Sequence, residues 1–237
     1  MTNCRNCNTP VIDHFCGNCG QPVQLKRVDG HYILHEIQHI LHFEKGILYT
    51  IKELLIRPGQ NIREFIRDNR SRLVKPILFI IVASFIYTLI NHFFHIEEEY
   101  VDFSATENPA SSFIFHWIQN NYGYANIIMG VFIAFWLKLF FRKYDYNFFE
   151  ILIMLCFVMG IGMLIFSVSA LFEGLTKLNS MMVSGIICIS YFTWSIGQFF
   201  NKKKAVNYLK ALISYILGML TFSISAILLG LLIDSLI

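Results

Sequence analysis

ILIMLCFVMGIGMLIFSVSALF, residues 151–172, runs for 22 residues without one Asp, Glu, Lys, Arg or His. Roughly 20 consecutive apolar residues are enough to cross the hydrocarbon core of a bilayer as a helix. Four further apolar runs lie on either side, at residues 77–94, 124–141, 181–200 and 211–233. Pro76 stands before the first of these, at a helix start where a missing N–H costs little. Lys138 is the only charge in 124–141, close enough to its end to snorkel to the interface. The expectation is an all-α polytopic membrane protein with about five transmembrane helices.

Composition agrees. The chain is 55% hydrophobic and 15% charged, with a mean hydropathy of +0.53, whereas soluble domains carry roughly a quarter charged residues. So few polar groups could not cover a water-facing surface, but lipid-facing positions tolerate apolar side chains all round. Eleven of the 19 Lys and Arg residues precede position 76, and Lys202, Lys203, Lys204 and Lys210 form a second group. Loop 95–123 has no Lys or Arg but carries Glu97, Glu98, Glu99, Asp102 and Glu107. Arg142 and Lys143 follow the second run, Lys177 opposed by Glu173 follows the third, and only Asp234 is charged after the fifth. The positive-inside rule then places the N-terminus in the cytoplasm and the C-terminus outside a cell (inner) membrane. Met1 leads straight into polar, Cys-bearing sequence, so no signal peptide is expected. Trp117, Tyr122, Tyr124, Tyr144, Tyr146 and Tyr208 flank the runs, where aromatic rings prefer the headgroup level.

Three domains follow: a head at 1–24, cytoplasmic amphipathic or interfacial helices at 29–75, and a five-span body at 76–237. In the head, Cys4-Arg5-Asn6-Cys7 and Cys16-Gly17-Asn18-Cys19-Gly20 form two CxxC turns. Each turn aims two thiolates at one ion, and two complete a tetrahedral site suited to structural zinc, with iron the minor alternative. Gly17 and Gly20 suit the positive φ of tight knuckles. A head this small cannot bury an adequate core, so the metal supplies folding energy. His14 lies between the pairs, as a ligand in a variant site or as ordinary loop packing.

His31, His35, His39 and His42 fall on one helical face, with Ile33, Ile37, Ile40, Leu41, Ile47 and Leu48 roughly opposite. That stripe reads as a solvated polar face of a helix lying on the membrane, or as a second metal or pH-sensing site. Arg57-Pro58-Gly59 breaks the helix and Asn61 is positioned to cap the next. There Ile62, Phe65, Ile66 and Leu73 are expected to bury in the membrane interface. Arg63, Arg67, Arg70, Arg72 and Lys75 face anionic phospholipid headgroups or enforce topology.

The ribbon end Phe15-Cys16-Gly17-Asn18-Cys19-Gly20-Gln21, the stretch Thr50-Ile51-Lys52-Glu53-Leu54-Leu55-Ile56-Arg57-Pro58-Gly59, and Arg70-Ser71-Arg72 with Pro76 together resemble a bacterial family of zinc-ribbon membrane proteins of unknown function. The likeness covers roughly residues 1–80. The layout is also similar, in topology alone, to Yip-type five-span membrane proteins. Neither resemblance implies an activity or a catalytic residue.

The sequence favours a scaffold, adaptor or regulator whose ribbon docks a cytoplasmic protein, with the bilayer and anionic lipids as further partners. No acid–base constellation marks an enzyme, and no Asp, Glu or Arg stands at the middle of a span, where ion relays usually show. A transporter, channel or lipid-handling protein is the alternative, and a metal-dependent membrane enzyme using the histidine stripe the second. Nucleic acid is not expected as a partner, and an oligomer is left open. Gly160-Ile161-Gly162 and the Ser214/Gly218 pair read as helix-packing or bending sites.

Overall fold

The structure is a computed structural model that describes residues 2–4, 7–11, 14–20, 46–94, 114, 117–118 and 121–236. The chain divides into two compact units, Met1–Glu44 and Lys45–Ile237. Residues 45–75 therefore cluster with the membrane helices, and the division falls about thirty positions earlier than the 75/76 boundary expected from hydropathy.

In the first unit, β1 (Thr2–Asn3) pairs antiparallel with β2 (Pro10–Val11), Thr2 opposite Val11 and Asn3 opposite Pro10. The apolar cluster among its described residues is Cys4, Val11 and Cys16, with Cys7 against them. Thiols make up most of this core, so there is too little hydrocarbon to hold it without another crosslink.

In the second unit the helices are α1 (Ile47–Ile56), α2 (Pro58–Arg67), α3 (Pro76–Phe94), α4 (Tyr122–Phe140), α5 (Phe148–Thr176), α6 (Met181–Asn201) and α7 (Ala205–Leu236). Asn147 opens α5 with a capping box: its side chain accepts from Glu150 N, and the Glu150 carboxylate accepts from Asn147 N. Lys177, in the left-handed conformation at φ 60°, ends it. α5 is the central and most buried helix, packed against α3, α4 and α6, while α7 closes the outside against α4 and α6. Phe157 of α5 lies between Phe65 of α2 and Phe79 of α3, with ring centroids 5.1 and 6.0 Å away. The expected packing glycines sit where helices meet: Gly160 under the Phe79 ring, Gly162 under Phe192, and Gly218 against the Ile133 backbone.

Four of these helices are long and apolar enough to cross a membrane: α3, α5, α6 and residues Ala205–Ile233 of α7. The apolar part of α4, Tyr124–Phe140, is shorter. α4 as a whole has 19 residues, a rise of about 28 Å. α7 starts six residues before the apolar run that announced it, which brings Lys210 inside the helix. Its ammonium donates to Phe140 O at 3.3 Å and sits 5.9 Å from the Phe141 ring centroid. Rows of exposed apolar residues such as Ile77, Phe85, Leu89 and Phe93 on α3 would be an aggregation hazard in water. They are the expected lining towards lipid.

Candidate metal centre and the basic end of the bundle

Each CxxC turn is closed by the residue that follows it. Asn8 N donates to Cys4 O at 2.9 Å, and Gly20 N donates to Cys16 O at 2.8 Å. Both residues take positive φ, 59° at Asn8 and 72° at Gly20. Gly17 does not, so the expectation of a left-handed Gly17 is corrected; Asn8 carries that conformation in the first turn. Asn tolerates it better than most residues with a side chain, because its short amide hydrogen-bonds locally. The clue was present in the sequence: Asn8 occupies the place after the second cysteine that Gly20 occupies in the other turn.

These two turns bring the Sγ atoms of Cys4, Cys7, Cys16 and Cys19 within 4.8 Å of one another. The cross-turn pairs Cys4–Cys19 and Cys7–Cys16 are each 3.5 Å apart. Metal–sulfur bonds of about 2.3 Å in a regular tetrahedron separate the sulfurs by about 3.8 Å. The four thiols therefore fit one tetrahedral ion. The Thr9 hydroxyl lies 3.3 Å from Cys7 Sγ, and with the Thr9 backbone it lowers the Cys7 thiol from its usual range to about 6. Thiolate is the metal-binding form. His14 is exposed and stands outside the four-thiol group. Next to Cys16, Phe15 is 63% exposed. His31, His35, His39 and His42 lie outside the described residues.

At the bundle's basic end, the expectations for residues 61–75 change in three ways. First, Asn61 does not cap α2, which begins at Pro58; it lies inside the helix. Its side-chain amide donates to Glu53 O and Arg57 O, both at 2.9 Å, satisfying carbonyls at the end of α1. Second, Ile62, Phe65, Ile66 and Leu73 are buried in the protein core, not in the membrane interface. Third, α2 ends at Arg67, so Arg70 and the residues after it leave the helical stripe.

The cations part accordingly. Arg63 donates to the carbonyls of Gln198 and Phe199, at the negative end of the α6 dipole. Arg72 pairs with Glu53 at 3.2 Å and with Glu64, and also donates to Tyr49 Oη at 3.2 Å, which raises its already high pKa further. Arg67 is exposed but lies 5.0 Å from the Tyr146 ring centroid. Arg70 and Lys75 are exposed.

Tyr146, expected at the headgroup level, is instead buried, its ring centroid 4.6 Å from that of Phe199, and burial raises its phenol pKa. Around it Phe141 stacks on Phe200 at 3.8 Å, Lys138 donates to Tyr146 O at 2.6 Å, and Asn207 donates to Tyr144 Oη at 2.8 Å. This aromatic knot ties the α4–α5 turn to α2, α6 and α7. The flanking positions of these aromatics carry no local signal for it.

Residues 44–88 match a family of proteins of unknown function (DUF3667). The match takes in α1, α2 and most of α3, hence the Arg57-Pro58-Gly59 and Arg70–Pro76 motifs, but it does not reach the four-cysteine head. The likeness expected over residues 1–80 is supported only for that inner stretch. No curated protein and no solved structure matches the chain.

Proposed function

We propose that this integral membrane protein is a scaffold or adaptor of the cell (inner) membrane, its N-terminus cytoplasmic and its C-terminus outside, whose ribbon holds one structural zinc and docks a cytoplasmic protein. The carrying observation is the convergence of all four thiols beside an exposed Phe15. Four thiolates leave zinc no open coordination position, so the metal shapes a surface rather than reacting. This reading assigns no catalytic residue.

The orientation is supported by charge. Arg67, Arg70, Lys75, Arg142, Lys143 and the three lysines from Lys202 are exposed at one end. Lys177 is the only Lys or Arg among the described residues at the other. With α4 counted as a crossing, the basic end is cytoplasmic and Ile237 lies outside. A reporter active only in the cytoplasm is then expected to work when fused after Lys203 and to be silent after Ile237. The reverse pattern would overturn the orientation. Of the five cations expected to bind anionic lipid, Arg67, Arg70 and Lys75 keep that role, since Arg63 and Arg72 spend their guanidinium groups on the protein.

Affinity capture from native membranes tests the docking role. A cytoplasmic protein recovered with the wild type is expected to be lost from the Cys4→Ser/Cys7→Ser variant; identical recoveries would refute it. A lipid-handling role is the second reading. It is favoured by an apolar groove of about 420 Å³ between α4 and α7, lined by Trp117, Ala125, Phe132, Phe222, Ala226 and Leu229.

A further inference from the structure

α1 buries only one side. Thr50 and Leu54 are fully buried, while Leu48, Leu55 and Ile56 are 78%, 48% and 54% exposed. At 100° per residue, Leu48, Lys52, Leu55 and Ile56 share an arc of about 100° opposite Thr50 and Leu54. That arc is apolar apart from Lys52, also exposed, and Arg57 follows directly at the helix end. Glu53 is turned away and paired with Arg72.

Three contacts fix where this face lies along the membrane normal. Thr50 Oγ1 accepts from Val74 N at 3.1 Å, which sets α1 level with the start of α3, whose first-turn Ile77 is 59% exposed. Tyr191 Oη donates to Leu54 O at 3.2 Å. Tyr191 stands ten residues before Asn201, the last residue of α6, a distance of about 15 Å along its axis. At the start of α2, Gly59 abuts the backbone of Gln198 and Phe199, within the final turn of α6. α6 has 21 residues, about 31 Å of rise, against a hydrocarbon core of about 30 Å. α1 thus runs beside the last turns of a spanning helix and not beyond them.

We propose that α1 is a membrane-inserted interfacial helix. Leu48, Leu55 and Ile56 lie among the acyl chains of the leaflet at the basic end, and Lys52 and Arg57 meet anionic phospholipid headgroups. The occupant is lipid for two reasons: the face lies at the depth of the acyl–headgroup boundary, and it is made of large apolar residues with one long-stemmed cation, Lys52, among them to snorkel to the headgroups and Arg57 at its end. The inference rests on the membrane body alone and is independent of the ribbon's role. Within the stretch 29–75 expected to be amphipathic or interfacial, it places the lipid-facing helix at 47–56 and not at 61–75.

The test uses the full chain reconstituted in vesicles of equal phosphatidylcholine and phosphatidylglycerol. The photocrosslinker p-benzoylphenylalanine is introduced singly at Leu48, Leu55, Phe85 or Lys203, and adducts are identified by mass. Phe85, 65% exposed in the middle of α3, marks a lipid-facing position and an intact fold; Lys203 marks a loop. Phospholipid adducts at Leu48 and Leu55 as abundant as at Phe85, and absent at Lys203, are the expected result. Phosphatidylglycerol should dominate the Leu48 and Leu55 adducts, and Lys52→Gln with Arg57→Gln should remove that preference while keeping the adducts. Crosslinks from Leu48 or Leu55 to residues 1–45 of the same chain, or to a second copy, would overturn the proposal. So would an absence of lipid adducts at these positions while Phe85 still forms them. Adducts without preference for phosphatidylglycerol would overturn the role of the cations.

Discussion

Purified wild-type protein is expected to carry one zinc per chain, and the Cys16→Ser/Cys19→Ser variant none. The two residues form the whole second turn, and each stands 3.5 Å from a thiol of the first: Cys16 from Cys7 and Cys19 from Cys4. Removing them leaves two donors, fewer than a closed structural site requires. Structural zinc contributes on the order of 10 kcal/mol to folding such small modules, and the described apolar core of this head is three buried residues, two of them candidate ligands. The variant should therefore lose the two closed turns, measured as a collapse of amide hydrogen-exchange protection at Asn8 and Gly20, whose N–H groups close them. The membrane body is a separate compact unit, so its thermal unfolding should not change. Elemental analysis that finds zinc still bound to the variant would remove Cys16 and Cys19 from the ligand set. Protection that survives without metal would mean the head folds unaided.

The head and the spans were legible for different physical reasons. Metal-ligand spacing is local, since each CxxC turn determines its own geometry, and the four cysteines converge as their spacing implied. Apolar run length is also a one-dimensional signal, and it located α3, α5, α6 and α7 within a few residues. The ends were harder. Lys210 reads as a charge outside a span, yet a long aliphatic stem lets it sit in the first turns of α7 and reach Phe140 O.

Residues 61–75 show the limit more sharply. Ile62, Phe65 and Ile66 form an apolar stripe, and a stripe reports that a face is buried without saying whether lipid or protein covers it. The answer depended on long-range partners, Phe157 on α5 and the C-terminal carbonyls of α6, which no local pattern names. Asn61 misled for a related reason. Its type suits a cap, but the carbonyls it satisfies belong to the preceding helix, and Pro58 had already set the start of α2. Arg72 likewise reads as one more membrane-facing cation until Glu53 and Glu64, 19 and eight residues earlier, are folded against it.

Gly59 carries the other large expected effect. Within a helix, Gly→Ala is normally stabilising, by about 1 kcal/mol in the interior and by less in the first turn where Gly59 stands, because Ala has less backbone freedom to lose. At position 59 the sign should reverse. A Cβ there would overlap the carbonyl carbon of Gln198 and lie 2.5 Å from Phe199 N. These are backbone atoms inside α6, which cannot rotate aside as a side-chain tip can. α2 would have to back away from α6, stretching the Arg63 bonds to the Gln198 and Phe199 carbonyls and loosening the fully buried Ile62 one turn further on. Overpacking of a core commonly costs about 1–3 kcal/mol, and more where hydrogen bonds to a charged group weaken with it. Gly59→Ala is therefore expected to destabilise the membrane body by roughly 3 kcal/mol, read as a lowered midpoint of thermal unfolding in one fixed detergent or lipid. Gly185, inside α6 with nothing within 4 Å of a built Cβ, supplies the comparison: Gly185→Ala should unfold at or slightly above the wild-type temperature. If the two variants behave alike, α2 does not press against α6 at Gly59. The depth assigned to α1 would then lose one of its three supports.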